Sequence, residues 1–408
     1  MARIVPFRGI RYCSDKIGNL ADVIIPPYDV ITAEEQEQFY RRSPYNFIRL
    51  EFGKTGSGGD GGSRYTRAAG YLHSWREERV LLLEEQPLFY LYRQSFTFAG
   101  RTHRRTGLIA ALGLEPYSKK VILPHEDTLA TPKADRLELM RHCRANFSPI
   151  FGLFSDPEER FAEICAPFQQ RSPLYNFTDH YGEHHTLWPV EGPPQEELAR
   201  LLEPRQIFIA DGHHRYDTAL RYREEAASPG SGYVLAVLVP LEDPGLLILP
   251  FHRLLKGLTA GQLALLRKKA ARYFEVAEGK PEDGLSARLA GMRAPAMALL
   301  FPDRDLLLRA KESGSAGELD VSLLKRLLLD PLFESDAVEQ HLDFVTGEDE
   351  ARRALQSGKA QAAVLLNPTP MAAVTARALK GENMPQKSTC FHPKLPAGLL
   401  IHHLELSH

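Results

Sequence analysis

The stretch IFIADGHHRYDTALRYREE, residues 207–225, places the tightest constraint on the fold of this chain. An apolar run of strand type ends at an Asp-Gly turn, and a helical pattern begins directly afterwards. A strand, a tight turn and a helix start in so few residues are typical of α/β proteins. The turn also concentrates charge, because it contains Asp211, Gly212, His213, His214 and Arg215.

This density of polar groups points to anion binding. A helix start presents free backbone N–H groups and the positive end of the helix dipole, which suit a phosphate or carboxylate. Arg215 offers such an anion a forked set of donors. Asp211 is a candidate for binding a cation or for orienting a histidine. The structural alternative, a helix cap at Asp211 with two surface histidines, explains the acid alone and not the whole cluster.

Composition limits the classes of protein to which this chain can belong. The 408 residues are 43% hydrophobic and 25% charged, which is typical of a soluble globular protein with two or three structural units. A net charge of −2 argues against a general affinity for nucleic acid or anionic membranes. The four cysteines are scattered without a CxxC pair, which argues against structural zinc and fits a reducing compartment. With neither a signal peptide nor a membrane span in the sequence, we expect a cytoplasmic protein.

Three further segments supply candidate site residues. IIPPYDVI places Asp29 after a rigid proline turn, where an Asx turn is the competing interpretation. LPHEDTLATPKADR is predicted to be either a solvated loop or a substrate and phosphate loop, with His125, Glu126, Lys133 and Arg136. MPQKSTCFHPKL offers Lys387 and Lys394 to an anion, or forms an ordinary turn. Surface or core positions are expected for six remote histidines, at 103, 142, 180, 184, 185 and 341.

Together these segments resemble a known family. PPYDVI, SPYNFIRL, HEDTLATPKADR, NFSPIFGL, ADGHHRYDTALRYR, LPFHRLL, NPT and MPQKSTCFHPKLPAGL follow one another as in the family called domain of unknown function 1015. The resemblance covers residues 8–400. It implies no established activity, because the family has none that can be transferred to this chain.

A more distant resemblance adds chemistry. The DGHHR turn, with an upstream proline–acid segment, is similar to the ParB-like fold that includes free serine kinases. In those enzymes a carboxylate activates the substrate hydroxyl, and the turn helps to bind nucleotide phosphate and magnesium. The resemblance implies that Asp29 is the activating acid, although the kinases have glutamate there and lack the long insertion that follows. It also implies that Asp211, His213, His214 and Arg215 form the phosphate side.

The alternation of helical and extended patterns predicts a mixed α/β (α+β) architecture. The resemblance refines this to a ParB-like α/β core with a large middle insertion and a C-terminal α/β region. We expect residues 1–85 to begin the core and residues 86–204 to form the insertion, with a β-hairpin and the HE-containing loop. Residues 205–255 then complete the core with the strand, DGHHR turn and helix, and residues 256–408 form the C-terminal region.

The preferred hypothesis is a phosphotransferase-like enzyme that acts on serine or another small hydroxylated molecule. It would use ATP or ADP and Mg²⁺, with Asp29, His213 and His214 as catalytic residues and Asp211 at the metal. The alternative is a ParB-like regulatory protein that binds nucleotide without transferring phosphate, and a further one is a phosphatase or other hydrolase of serine metabolism. We expect the partners to be a small-molecule substrate and a nucleotide, and we expect no nucleic acid or membrane partner. The sequence is compatible with a homo-oligomer.

Overall fold

The computed structural model describes residues 1–56, 62–128, 130–226, 228–279, 284–292, 295–311, 318–333 and 338–407. It divides into two compact units. Unit 1 comprises residues 1–246 and 393–408, and unit 2 comprises residues 247–392. Helices and strands alternate in both, so the prediction of a mixed α/β fold is confirmed. Within these ranges, no helix combines the length and the apolar character that crossing a membrane requires.

The strands are short in most cases and run through both units. In chain order they are β1 (Ile4–Val5), β2 (Ile10–Tyr12), β3 (Leu81–Leu83), β4 (Phe89–Phe98), β5 (Arg101–Gly113), β6 (Ile122–Leu123), β7 (Ala145–Asn146), β8 (Ile150–Phe154), β9 (Tyr175–Thr178), β10 (His184–Val190), β11 (Ile207–Asp211), β12 (Tyr233–Pro240), β13 (Leu247–Leu249), β14 (His252–Leu255), β15 (Phe274–Gly279), β16 (Ala296–Leu300), β17 (Asp305–Ala310), β18 (Leu342–Val345), β19 (Ala362–Leu366), β20 (Cys390–His392) and β21 (His402–His403).

The α-helices include α5 and α8, which flank the candidate site. They are α1 (Ser14–Ile17), α2 (Ala33–Arg42), α3 (Ile48–Glu51), α4 (Arg64–Glu77), α5 (Ala130–Cys143), α6 (Arg160–Cys165), α7 (Pro193–Leu202), α8 (His213–Glu225), α9 (Ala260–Tyr273), α10 (Leu285–Ala290), α11 (Asp320–Leu323), α12 (Glu348–Gln356) and α13 (Met371–Lys380). A π-helical turn, Leu324–Leu329, follows α11 directly.

Unit 1 is built on a mixed nine-stranded sheet. Its order is β6-β11-β8-β12-β5-β4-β10-β9, with β1 paired to β5. The β6–β11 and β8–β12 pairs are parallel, and the other pairs are antiparallel. Apolar residues of the sheet, such as Ile150 and Ile209, share one core with Leu198 of α7 and Tyr216 of α8. The DGHHR turn therefore starts from a strand inside the sheet, a position with little freedom to move.

The β-hairpin expected within residues 86–204 corresponds to β4–β5, with Ala99-Gly100 at its turn. Thr32 caps α2, and Glu35 completes a capping box by accepting the Thr32 backbone N–H at 2.8 Å. The predicted loop LPHEDTLATPKADR needs correction, because its second half forms the first turns of α5. Pro132 falls in the first turn of that helix, where a missing backbone N–H removes no hydrogen bond.

Unit 2 has an antiparallel six-stranded sheet of order β15-β17-β16-β19-β14-β18. Alternate residues of β16 serve two separate cores, as the period of a strand requires. Met297 and Leu299 belong to the core that includes residues of α9 and α13. Ala298 and Leu300 belong to the core that includes residues of α10 and α12. Since both faces are covered, every residue of β16 is buried.

The predicted segments and the two observed units divide the chain differently. The nine-stranded sheet draws strands from residues 1–85, 86–204 and 205–255 alike, so these segments contribute to one physical unit. Unit 2 begins at residue 247, and residues 393–408 return to unit 1. The return is made by backbone pairing, because Ile401 exchanges hydrogen bonds with Ile10, and Ala397 with Ile25.

Candidate functional site

The DGHHR turn joins β11 to the 13-residue helix α8. The β11–β8 register shifts between Ile209 and Asp211, and Gly212 follows in a left-handed conformation with φ +92°. A Cβ atom at Gly212 would lie 3.0 Å from the guanidinium carbon of Arg215. Glycine therefore lets the chain turn and also leaves room for Arg215 to lie against the turn. The first backbone N–H groups of α8 point out of the helix start, as in known anion sites.

Asp211 lies between two cations. Its Oδ2 atom is 3.3 Å from Nζ of Lys394 and 3.5 Å from Nη2 of Arg215, and its Oδ1 atom accepts the Gly212 N–H at 2.9 Å. Burial by itself would raise the pKa of Asp211, but the charges of Lys394 and Arg215 outweigh it and hold that pKa well below its usual range. The carboxylate stays ionised, and with two cations around one anion the turn keeps a net positive charge.

The same contacts bear on the prediction of a metal at Asp211. Magnesium binds carboxylate oxygens that are free to face it, usually together with water and substrate phosphates. Here Oδ2 is paired with Lys394 and Arg215, and Oδ1 accepts a backbone N–H. In this arrangement the residues do not fit a resident magnesium ion, and the positive charge of the turn comes from the protein.

His213 and His125 form a buried pair beside the turn. Nε2 of His213 accepts the backbone N–H of His125 at 3.3 Å, and the two rings meet edge to face at 4.7 Å. Burial, aided by His125, lowers the pKa of His213 well below its usual value. Burial also lowers the pKa of His125 to about 4. Both rings are therefore neutral near pH 7, so His213 adds no positive charge to the turn.

Residue Lys133 of the predicted substrate loop is connected to helix α8 through Asp217. Lys133 donates to Thr128 Oγ1 at 2.9 Å and lies 3.4 Å from Asp217 Oδ2. The Tyr117 hydroxyl donates to Asp217 Oδ1 at 2.6 Å. Oε1 of Glu126 is 3.9 Å from Nε2 of His125. His214 is half-buried at the second position of α8, and its carbonyl accepts the Thr218 hydroxyl at 2.7 Å.

Arg136 makes a buried ion pair that the sequence did not suggest. Its guanidinium donates to the backbone carbonyl of Glu51 at 2.9 Å and to Glu51 Oε1 at 3.0 Å. It also pairs with Asp135, so both partners of this arginine are acids of the protein. Burial raises the pKa of Glu51 in spite of the charge of Arg136. In the sequence, the indication of this ion pair is Glu51, an acid within the largely apolar segment FIRLEF.

A small cavity connects this ion pair with the DGHHR turn. It has a volume of about 40 Å³, and its lining includes Glu51, Arg136, Ser148 and Arg215. In the described part of the chain, Glu51 Oε2 and Ser148 Oγ are buried and make no hydrogen bond. Polar atoms of this kind commonly bind a water molecule, and the volume is sufficient for one.

Asp29 lies in a 3-10 turn, Tyr28–Val30, and is exposed. Its neighbour Tyr28 places its ring centroid 4.0 Å from the guanidinium carbon of Arg136. Burial raises the pKa of Tyr28 to about 12. Arg136 and Arg215 line the same cavity. The 3-10 turn with Asp29 is therefore linked, through Tyr28 and Arg136, to the surroundings of Arg215.

Of the two predicted C-terminal lysines, only Lys394 belongs to unit 1, where it pairs with Asp211. Lys387 belongs to unit 2, and its Nζ atom lies 5.4 Å from the ring centroid of Phe251. The segment MPQKSTCFHPKL thus crosses the boundary between the units, and its two lysines have separate surroundings.

A family model described as a protein of unknown function (DUF1015) matches residues 4–327. The chain belongs to this family. The match includes the DUF1015 segments around Asp29, His125 and Asp211, whereas Lys394 lies beyond its end. No curated protein matches the DUF1015 chain in sequence.

Three solved structures are similar to the DUF1015 chain over most of its length. A conserved hypothetical protein from Pyrococcus furiosus is 13% identical, with 74% of this chain and 97% of that chain covered and a TM-score of 0.40. A mutant free serine kinase in complex with ADP is 14% identical, with 72% and 92% covered and a TM-score of 0.39. C-terminally truncated SbnI from Staphylococcus aureus is 10% identical, with 72% and 87% covered and a TM-score of 0.39.

Proposed function

We propose that the protein transfers a phosphoryl group from a nucleotide, ATP or ADP, to a small hydroxylated acceptor such as serine. The observation that supports this proposal is the excess positive charge at the start of α8, where Lys394 and Arg215 flank Asp211. Phosphoryl transfer depends mainly on alignment and on neutralising charge, and this turn offers the backbone N–H groups of a helix start together with cations.

In the proposed reaction, Arg215, Lys394 and the first N–H groups of α8 bind the phosphates. Asp29 accepts the proton of the acceptor hydroxyl as that oxygen forms its bond to phosphorus. The bond between phosphorus and the leaving oxygen of the nucleotide breaks, and the electron pair stays with the shortened nucleotide. Aspartate is a weak base, so most of its contribution comes from the position of the acceptor. The neutral pair His213 and His125 supports the turn, and the nucleotide phosphates would hold a magnesium ion that neutralises part of their charge.

One observation favours a second candidate, a regulatory protein that binds nucleotide without transferring phosphate. Asp29 is exposed, and its carboxylate makes no hydrogen bond with any residue in the described ranges. A general base normally has neighbours that orient its carboxylate. Because Asp29 has no such neighbour, a structural role in the turn explains its position equally well. In this second function the positive turn binds phosphate in the same way.

The test combines a transfer assay with nucleotide binding. Purified full-length protein is incubated with Mg²⁺, ATP or ADP, and a panel of amino acids and sugars, and phosphorylated products are identified by mass spectrometry. We expect Asp29→Asn to lower transfer by about 10²-fold or more while nucleotide affinity stays within about twofold. Glu34→Gln, which changes an exposed acid of the nearby helix α2, is the matched control and should leave both unchanged.

The other outcomes have distinct meanings. Nucleotide binding without any acceptor-dependent product supports the regulatory function. Transfer that survives Asp29→Asn removes the proposed role of that residue. If neither ATP nor ADP binds at millimolar concentration, both functions fail and a hydrolase becomes the better candidate.

A further inference from the structure

A second group of ligating side chains lies at the turn between β9 and β10 in unit 1. It consists of Asp179, which follows β9, Glu183, and His185, the second residue of β10. Each residue offers one ligand atom, and these atoms all lie within 4.8 Å of one another. They come from one hairpin, so strand pairing fixes their relative positions.

Each of the three side chains is oriented by a second contact. Nδ1 of His185 is 2.7 Å from the Tyr92 hydroxyl, and the ring, only 1% exposed, is stacked on Phe177. Oδ1 of Asp179 accepts two backbone N–H groups at 2.9 Å. Oε2 of Glu183 accepts the Gln94 amide at 2.6 Å.

Outer contacts of this kind are typical of metal ligands. A ligating histidine usually has its second nitrogen bonded to a fixed group, which sets the tautomer and the ring plane. Here the outer contacts use one polar atom of each side chain. Asp179 Oδ2 and His185 Nε2 are hydrogen-bonded to each other at 3.2 Å, with the Glu183 carboxylate close by, and a bound ion would take the place of this hydrogen bond.

The cluster holds two carboxyl groups beside a single imidazole. The charge of the buried Arg105 acts on Glu183, and this arginine is held beside the cluster through Gln94. Its Nη2 atom donates to Gln94 Oε1 at 2.6 Å and to the Pro393 carbonyl at 2.8 Å. A divalent cation between the carboxylates would neutralise them at short range.

We propose that Asp179, Glu183 and His185 bind a divalent transition-metal ion. One nitrogen and two carboxylate oxygens suit Zn²⁺, Mn²⁺ or Co²⁺, whereas Mg²⁺ and Ca²⁺ prefer oxygen ligands alone. Metal–ligand distances are about 2.0–2.2 Å, so ligand atoms on opposite sides of the ion are at most about 4.4 Å apart. The three ligand atoms, which lie within 4.8 Å of one another, need to move only slightly closer together to bind one ion. Three protein ligands leave a position open to water, as in catalytic sites and unlike closed structural ones.

The experiment measures metal binding by full-length protein that has been treated with a chelator and then dialysed. Zn²⁺ is titrated calorimetrically, and Co²⁺ is followed by its visible absorption, which reports on the ligand geometry. We expect one tightly bound ion per chain. Glu183→Gln and Asp179→Asn should each weaken binding by about 10-fold or more. Both keep the size of the side chain, and Glu183→Gln retains an oxygen for Gln94.

His180→Ala is the matched control. His180 lies in the same turn but is exposed, and its Nε2 atom is 2.9 Å from Asp22 Oδ1, away from the three ligands. This variant should bind metal as the wild type does. Wild-type protein that binds no stoichiometric ion would overturn the proposal. So would Glu183→Gln with unchanged affinity, or a loss of binding in His180→Ala that equals the loss in Glu183→Gln.

Discussion

His125 and His213 lie in contact beside the positively charged DGHHR turn, yet neither ring carries charge near pH 7. The backbone N–H of His125 is bonded to Nε2 of His213, and burial lowers the pKa of both rings. The positive charge of the turn therefore belongs to Arg215 and Lys394. At the scale of single residues, chemical type alone was a poor guide, because burial changed what each histidine can do.

This burial predicts a pH dependence of stability. The pKa of His125 is 6.5 in the unfolded chain and about 4 in the folded protein, so between these values only the unfolded state takes up the proton. The stabilising contribution is complete above pH 6.5 and is lost as the pH falls towards 4. We expect His125→Phe to reduce the difference in unfolding free energy between pH 7 and pH 5 by about 2 kcal/mol.

Urea unfolding at the two pH values measures this difference. His73→Gln is the control, since His73 is exposed on α4 and its ring is hydrated in both states. An unchanged pH dependence in His125→Phe would mean that His125 takes up its proton equally in the folded and unfolded chains.

At the scale of elements, the candidate site depends on one backbone conformation. Gly212 adopts φ +92° between β11 and α8, and the Arg215 guanidinium occupies the space that a side chain would need. The same residue thus sets the direction of the helix and the position of the arginine.

Gly212→Ala is therefore expected to destabilise the protein by about 1–2 kcal/mol, because an L-residue pays for the left-handed conformation. It should also weaken nucleotide binding by displacing Arg215. Denaturant unfolding and nucleotide titration measure the two effects.

Gly70→Ala makes the same chemical change inside helix α4, where a Cβ atom would meet nothing within 4 Å. There we expect a gain of about 0.5–1 kcal/mol, since alanine is the better helix former. A neutral Gly212→Ala, with Gly70→Ala behaving as expected, would show that the turn relaxes without strain.

At the scale of the whole molecule, unit 2 is a continuous insertion into unit 1. Residues 247–392 contain a complete six-stranded sheet with a core on each face. Residues 393–408 then return to unit 1, where Gln94 donates to both Glu183 and the Lys394 carbonyl. One side chain thus links the proposed metal cluster to the residue that pairs with Asp211.

We expect residues 247–392, produced alone, to fold cooperatively. A single sigmoidal thermal transition and dispersed amide signals in an NMR spectrum would be the evidence. Its two described core clusters are formed by residues of the segment itself, and a hydrophobic core of its own is what allows a unit to fold alone.

The complementary truncation, which ends the chain at residue 392, should destabilise unit 1. It removes the backbone pairing of Ile401 with Ile10 and of Ala397 with Ile25. A disordered 247–392 fragment, or a truncated chain as stable as the full one, would contradict this view of the two units.

Local features of the fold were predictable because neighbouring residues determine them. The Thr32 capping box, the Ala99-Gly100 hairpin and the strand–turn–helix at Asp211 each depend on residues within a few positions of one another. The family was recognisable for a related reason, since its motifs are short and follow in a set order.

The charge and geometry of the site depended on contacts between distant parts of the chain. Lys394 meets Asp211 across 183 positions, and Arg136 meets Glu51 across 85. No local pattern encodes such pairs, because they arise only when the sheet and its helices pack. By itself, the sequence determined the mixed α/β class and the turn that concentrates polar groups. Tertiary packing decided that Asp211 stays ionised and that His213 is neutral, since burial and long-range partners shift the pKa of both.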